Sequence, residues 1–133
     1  MYLLDTNICI FAINRRLPSF IERIRNQSRT GIHISSLTIA ELEYGVENSK
    51  KIEDNRIALL KFISPFSILN YDDFDAIKYG KLKSGLRKAG MLIGPIDMLL
   101  ASQALSKDLV LVTNNVAEFS RIEGLTIEDW SSG

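Results

Sequence analysis

Short apolar segments alternate with helical patterns along this chain, and no other feature constrains its fold as strongly. Five segments have the composition and length of strands: Tyr2–Leu4, Ile32–Ser35, Ile68–Leu69, Leu109–Thr113 and Leu125–Ile127. Strands that are separated by helices are joined in parallel, and the helices cover both faces of the sheet. With 133 residues, 46% of them hydrophobic, the chain can bury one ordinary core. The sequence therefore predicts a single α/β domain.

The segments between these strands have the apolar spacing of amphipathic helices. The predicted helices follow Asp5, start at Pro18 and at Thr38, cover 57–62 and 72–89, and start again at Pro95 and after Asn115. Thr38 and Glu41 have the spacing of a capping box, in which each side chain accepts a backbone N–H bond at the start of a helix. A polar segment over 50–55 is predicted to separate the third helix from the fourth.

Three acidic residues lie near the points where predicted strands end and helices begin. Asp5 follows the first strand directly, Glu41 lies just past the second strand, and Asp97 lies in the first turn of the helix that Pro95 starts. The carboxyl ends of parallel strands share one edge of the sheet, so these acids could converge there. No basic residue adjoins them in sequence. Three converging carboxylates would repel one another unless a hard cation such as Mg²⁺ or Mn²⁺ joined them.

Each of these acids also has an ordinary structural interpretation. Asp5 could cap the helix that follows it, and Glu41 could be only the second member of its capping box. Asp97 could interact only with the dipole of its helix, a contribution of ~0.3 to 1 kcal/mol. Asn115 and Glu118 form a fourth pair of this kind. The individual residues leave both interpretations open.

The charge balance and the cysteine count exclude several classes of protein. Sixteen basic and sixteen acidic residues give a net charge of zero, which argues against binding nucleic acid by bulk charge alone. The single cysteine permits no disulfide within the chain, and no apolar run is long enough to cross a membrane, so we expect a cytoplasmic protein. No glycine-rich phosphate loop follows a predicted strand, which argues against nucleoside triphosphatases and dinucleotide enzymes.

Five short motifs occur in order along the chain. They are Tyr2–Asn7, Ser35–Gly45 around Ala40-Glu41-Leu42, Ile93–Asp97, Leu111–Asn115 followed by Glu118-Phe119, and Glu128–Trp130. Each motif is weak alone, but the ordered set covers nearly the whole chain and is specific. It resembles the PIN-domain ribonucleases and, among these, the VapC toxins of bacterial toxin–antitoxin pairs.

This resemblance implies a five-stranded parallel sheet and a Mg²⁺-dependent endoribonuclease, with Mn²⁺ able to substitute, that cleaves structured RNA such as transfer or ribosomal RNA. It also implies a homodimer and a cognate antitoxin that inhibits the enzyme. Asp5, Glu41 and Asp97 match the acidic cluster of the family. Asn115 stands where many relatives have a fourth acid, which makes a second bound metal ion doubtful, although Glu118 could assist through a water.

The resemblance also suggests the role of each residue. Asp5 and Asp97 would hold the ion, and Glu41 would complete the site or orient the attacking water. The residues expected to support them by hydrogen bonds are Thr6, Asn7, Thr113, Asn115 and Glu118. Asn7 could equally cap the first helix. Two other functions stay open: a phosphotransfer enzyme with Asp5 as nucleophile, and a non-catalytic protein-interaction module whose acids are only caps.

An acid-free basic run lies in the predicted helix over 72–89, directly before the loop that leads to Asp97. It consists of Lys78, Lys81, Lys83, Arg87 and Lys88. The helical spacing places Tyr79, Leu82, Leu86 and Ala89 on the buried side and leaves the cations in solvent. Such a run can be an ordinary solvated face. Beside a site built from acids, it could instead guide the backbone of an RNA.

Overall fold

The computed structural model describes residues 1–15, 18–27 and 31–131. The strands within these ranges are β1 (Tyr2–Leu4), β2 (Ile32–Ser35), β3 (Ser67–Leu69), β4 (Val110–Val112) and β5 (Ile127–Glu128). The helices are α1 (Thr6–Arg15), α2 (Pro18–Gln27), α3 (Ser36–Glu47), α4 (Ile52–Ile63), α5 (Asp73–Lys88), α6 (Pro95–Lys107) and α7 (Val116–Phe119). In this part of the chain, no helix has both the length and the apolar character needed to cross a membrane.

The five strands form one parallel sheet in the order β3-β2-β1-β4-β5, which confirms the predicted fold class. β1 lies at the centre, where Leu4 pairs with Ile34 of β2 on one side and with Val112 of β4 on the other. The chain first adds strands on one side of β1 and then crosses to the other side. The carboxyl ends of β1 and β4 therefore flank a topological switch point, the place where ligands bind in open α/β sheets.

The central strand contributes one side chain to each of two hydrophobic cores. Leu3 and Leu4 are both fully buried, but successive residues of a strand face opposite sides of the sheet. Leu4 packs with Ile8 and Trp130 in one core, whereas Leu3 packs with Leu111 and with residues of α6 in the other. Because β1 is held on both faces and both edges, the residue that follows it has a fixed position.

The predicted capping box at Thr38 is wrong. The cap of α3 is Ser35, whose hydroxyl oxygen accepts a hydrogen bond from Leu37 N at 3.1 Å, and the helix begins at Ser36. Ser35, at the end of β2, is the N-cap three residues before the predicted one, so Thr38 lies inside the helix and is fully buried. Its hydroxyl lies 3.0 Å from the hydroxyl of Thr6 and ties α3 to α1. Glu41 consequently has no capping role.

The polar segment over 50–55 belongs mostly to α4 and does not separate two helices as predicted, since this helix begins at Ile52. Glu53 and Asp54 lie in its first turn, where acids interact favourably with the helix dipole. The guanidinium of Arg56 pairs with two acids of α3 and fixes the packing of the two helices. The predicted helix over 72–89 is confirmed as α5, with Asp72 as its N-cap.

Candidate active site

Asp5 lies at the switch point and is 1% exposed. Its backbone N–H continues the sheet by donating to Val112 O at 2.9 Å. One carboxylate oxygen, Oδ1, accepts from Ile8 N at 2.7 Å, and the other, Oδ2, accepts from Thr113 Oγ1 at 2.5 Å. Asp5 therefore caps α1, as its structural interpretation predicted. It also presents a fixed carboxylate at the ligand-binding edge of the sheet.

The surroundings of Asp5 disfavour its negative charge. Burial raises the pKa of Asp5 from its ordinary value of 3.8 to about 6, and the nearby carboxylates of Asp97 and Asp129 add to this effect. The hydrogen bonds from Thr113 and Ile8 lower that pKa and offset part of the increase. No Lys, Arg or His among the described residues forms an ion pair with Asp5 or Asp97.

Asp97 lies in the first turn of α6, as predicted, and is partly exposed. Gly94 is the N-cap of this helix and provides no capping side chain, while Pro95 occupies a first position that needs no N–H partner. Burial raises the pKa of Asp97, and the neighbouring carboxylate of Glu118 raises it further. Asp97 thus shares with Asp5 an environment that disfavours its negative charge.

A chain of hydrogen bonds connects Asp5 to the loop before α6. Thr113, which donates to Asp5, accepts from Asn115 N at 2.9 Å, and Asn115 Nδ2 donates to Glu118 Oε2 at 2.6 Å. Glu118 Oε1 accepts from Gly94 N at 3.0 Å. The bonds from Gly94 and Asn115 lower the pKa of Glu118. The carboxylate of Glu118 is thus engaged in holding the loop that leads to Asp97.

The structure places the third predicted acid, Glu41, apart from this network. Glu41 is exposed on α3 and lines a groove of about 310 Å³ together with Ile10 and Leu42. Within residues 1–15, 18–27 and 31–131, no three His, Cys, Asp or Glu side chains lie close enough together to hold a metal ion. Asp5 and Asp97 interact electrostatically, whereas the convergence of Glu41 with them stays a prediction.

The supporting residues divide into two groups. Thr113, Asn115 and Glu118 belong to the hydrogen-bond chain described above. Thr6 bonds Thr38, so it fixes the packing of α1 on α3. Asn7 is exposed on α1 and does not cap it, because Asp5 accepts the capping bond.

Two residues near the site, Asp129 and Thr38, were not predicted from the sequence as part of it. Asp129 follows β5 directly and adds a negative charge near Asp5, and the rule that found Asp5, an acid at the end of a strand, would have found it. Thr38 was assigned to a helix cap, and no sequence signal indicates its bond to Thr6.

The basic residues of α5 are all exposed, as predicted. None of Lys78, Lys81, Lys83, Arg87 and Lys88 forms a salt bridge with a described residue; Lys83 lies 5.7 Å from the ring centre of Tyr79. The buried side of the helix is confirmed, since Tyr79 and Leu82 pack against the core and Leu86 is buried. Ala89 was also predicted on this side but is exposed, because α5 has already ended at Lys88.

Comparison with known proteins identifies relatives over nearly the full length of the chain. The sequence model of the PIN domain matches residues 2–125. The chain is 41% identical over 131 residues to Ribonuclease VapC2 of Rickettsia felis, with 98% of each chain covered. It is 42% identical over 130 residues, again with 98% of each covered, to the tRNA(fMet)-specific endonuclease VapC of Shigella flexneri.

A solved structure has almost the same fold. In the crystal structure of VapBC2 from Rickettsia felis bound to a DNA fragment from the promoter, one chain superposes with a TM-score of 0.94 and 41% identity. The match covers 97% of the present chain and 98% of the other.

Proposed function

This chain belongs to the PIN-domain family and, within it, to the VapC ribonucleases, and on that basis we propose that it is a Mg²⁺-dependent endoribonuclease toxin. Its substrate is structured cellular RNA, such as transfer or ribosomal RNA, and its place of action is the cytoplasm. The observation that carries the proposal is the buried Asp5 carboxylate, which lies at the switch point, close to Asp97 and with no basic partner among the described residues.

The residues at this edge fit a hard divalent cation. Carboxylate oxygens are the ligands that Mg²⁺ and Mn²⁺ prefer, and Mg²⁺ is commonly bound by one or two of them together with waters and substrate phosphates. Asp5 and Asp97 would hold the ion, and Glu41 would complete the site. When bound, the ion lowers the pKa of a water and neutralises charge on the phosphate.

The side chains around the site keep its geometry fixed. Thr113 and the N–H of Ile8 hold both oxygens of Asp5 and lower the pKa of its carboxyl group. Glu118 holds the loop before α6 through Gly94 N and so positions Asp97. Glu41, exposed on α3, would complete the site or orient the attacking water.

The two alternative functions have less support. The relatives that match nearly the whole chain are PIN-domain ribonucleases and not phosphotransfer enzymes with a nucleophilic aspartate. A module whose acids have only structural roles does not account for Glu41, since α3 is capped by Ser35.

We expect a cognate antitoxin to inhibit the enzyme by covering the acidic site. An arginine of that partner is the best-suited group, because its guanidinium pairs bidentately with carboxylates. We expect the free toxin to be a homodimer. The purified complex should cleave RNA at least tenfold more slowly than the free toxin. Replacing the antitoxin arginine by alanine should restore the activity. A complex that retains the full ribonuclease activity would contradict this mode of inhibition.

The exposed cations of α5 are expected to guide RNA toward the acids. The change to make is Lys81→Ala with Lys88→Ala, in a protein inactivated by Asp97→Asn. Removing one lysine that binds a phosphate of single-stranded RNA should reduce the slope of log affinity against log salt by about 0.7. The measurement is RNA affinity over a series of salt concentrations.

The matched control for this pair is Lys50→Ala with Lys51→Ala, which removes two exposed lysines from another part of the surface. The control should leave the salt slope unchanged. If the two double variants have the same slope and affinity as the parent, α5 is an ordinary solvated surface.

A further inference from the structure

An open hollow of about 570 Å³ lies between α1 and the segment after β4. Four asparagines line it, together with Ile10 and Phe11: Asn7 and Asn14 from α1, and Asn114 and Asn115 from the segment after β4. Asn7 and Asn14 are seven residues apart and so lie on one face of α1, two turns from each other. None of the described residues that line the hollow is charged.

The hollow adjoins the active site through both of its walls. Asn7 follows Asp5 by two residues on α1, and Asn114 directly follows Thr113, which donates to the Asp5 carboxylate. The hollow is therefore built from the two segments that also carry Asp5 and its hydrogen-bond donor Thr113. The volume is within the range of about 300 to 1,000 Å³ that is typical of ligand pockets.

The asparagine side chains that line the hollow make few hydrogen bonds within the protein. Among the described residues, no hydrogen bond engages the side chains of Asn7, Asn14 or Asn114, and all three are exposed. Asn115 donates Nδ2 to Glu118 and keeps its Oδ1 as an acceptor. An amide offers a donor and an acceptor together, which carboxylates and lysines do not.

This combination of amides and apolar surface suits a nucleobase. Proteins that recognise RNA by sequence bind unstacked bases, which they stack on aromatic side chains and hydrogen-bond along their edges. Asparagine is one of the side chains that pair bidentately with a base edge. A phosphate would instead call for cations, which the described lining does not provide.

We propose that this hollow receives one unstacked base of the RNA, next to the phosphate that is cut, and that the amides of Asn14 and Asn114 read its identity. The inference rests on the proposed ribonuclease function and specifies its substrate: the cut lies in an unpaired segment, beside a base that the enzyme selects. Selectivity comes from the asparagines, while the cations of α5 bind the backbone without regard to sequence.

The test compares the double variant Asn14→Ala, Asn114→Ala with the wild type and with Asn70→Ala, an exposed asparagine outside the hollow. Each protein digests total bacterial RNA with Mg²⁺, and sequencing of the new ends gives the base preference on either side of the cut. The ratio of the most favoured to the least favoured base should fall by about fivefold or more in the double variant, because one bidentate contact gives at least that discrimination. Asn70→Ala should keep the preference.

A second measurement separates base contacts from backbone contacts. The same substitutions, in a protein inactivated by Asp97→Asn, should bring the affinities for the nine-nucleotide RNAs A9, C9 and U9 closer together. The slope of log affinity against log salt should stay unchanged, because amides release no counterions. Equal melting temperatures would show that the folds are intact.

Two results overturn the inference. An unchanged base preference in the double variant would show that the hollow does not recognise RNA, and the proposed ribonuclease function would be unaffected. The same result with a loss of antitoxin binding assigns the hollow to that partner. A wild-type protein that cuts no RNA contradicts the ribonuclease function itself, and the inference with it.

Discussion

Replacing Asp97 by asparagine is expected to abolish RNA cleavage, with a loss of roughly 10³-fold or more, and to weaken Mn²⁺ binding. Removing a carboxylate that holds the ion removes several kcal/mol of transition-state stabilisation, and each 1.36 kcal/mol is a factor of ten in rate. The fold should survive, because the substitution keeps the shape of the side chain and costs only the ~0.3 to 1 kcal/mol of an acid in a first helical turn. The measurements are RNA cleavage rate, calorimetric Mn²⁺ titration and thermal unfolding.

The matched control is Asp73→Asn, which removes an exposed acid from the first turn of another helix, α5. It should change neither cleavage nor Mn²⁺ affinity. If Asp97→Asn cleaves RNA as fast as the wild type, Asp97 is not part of the metal site.

Replacing Asp5 by asparagine should abolish activity and, in the absence of metal, make the protein more stable at neutral pH. A pKa raised from 3.8 to about 6 means that the ionised carboxylate costs the fold about 3 kcal/mol. The amide is neutral and can still accept from Ile8 N, but it loses the bond that Thr113 donates to Oδ2. We therefore expect a net gain of roughly 1 to 3 kcal/mol, measured by denaturant unfolding in EDTA at pH 7.5.

The raised pKa of Asp5 also predicts how the free energy of unfolding depends on pH. Between pH 3.8 and about 6 the folded protein keeps a proton on Asp5 that the unfolded chain releases. The contribution of Asp5 to stability is therefore largest below this window and falls as the pH rises through it. The difference in free energy of unfolding between Asp5→Asn and wild type should grow over this range in EDTA. A difference that does not change with pH, or a less stable variant at pH 7.5, would contradict the assigned environment of Asp5.

Local patterns in the sequence were sufficient to predict the sheet and the position of its acids. Apolar runs such as Leu3-Leu4 and Leu111-Val112 are buried on both faces, and only a parallel sheet between helices buries short strands in this way. An acid that directly follows such a strand must lie at the carboxyl edge, which is why Asp5 was placed there. Asp97 was assigned to the same edge because it lies in the first turn of a helix.

Contacts between segments that are far apart in the sequence could not be predicted from local sequence patterns. The caps of α3 show the difficulty, because Ser35 and Thr38 are both good capping residues and the end of β2 decides between them. The bond from Gly94 N to Glu118 joins residues 24 positions apart, and no spacing rule predicts it. The asparagine-lined hollow likewise forms only when α1 and the segment after β4 come together at the edge of the sheet.

The most direct test of the central claim is cleavage of bulk bacterial RNA by the purified toxin during a Mg²⁺ titration that starts in excess EDTA. We expect no cleavage in EDTA, rising cleavage as Mg²⁺ or Mn²⁺ is added, and none by Asp97→Asn at any concentration of metal. Cleavage that is as fast in EDTA as in Mg²⁺, or a wild-type protein that leaves RNA intact at every metal concentration, would show that this acidic edge is not the active site of a metal-dependent ribonuclease.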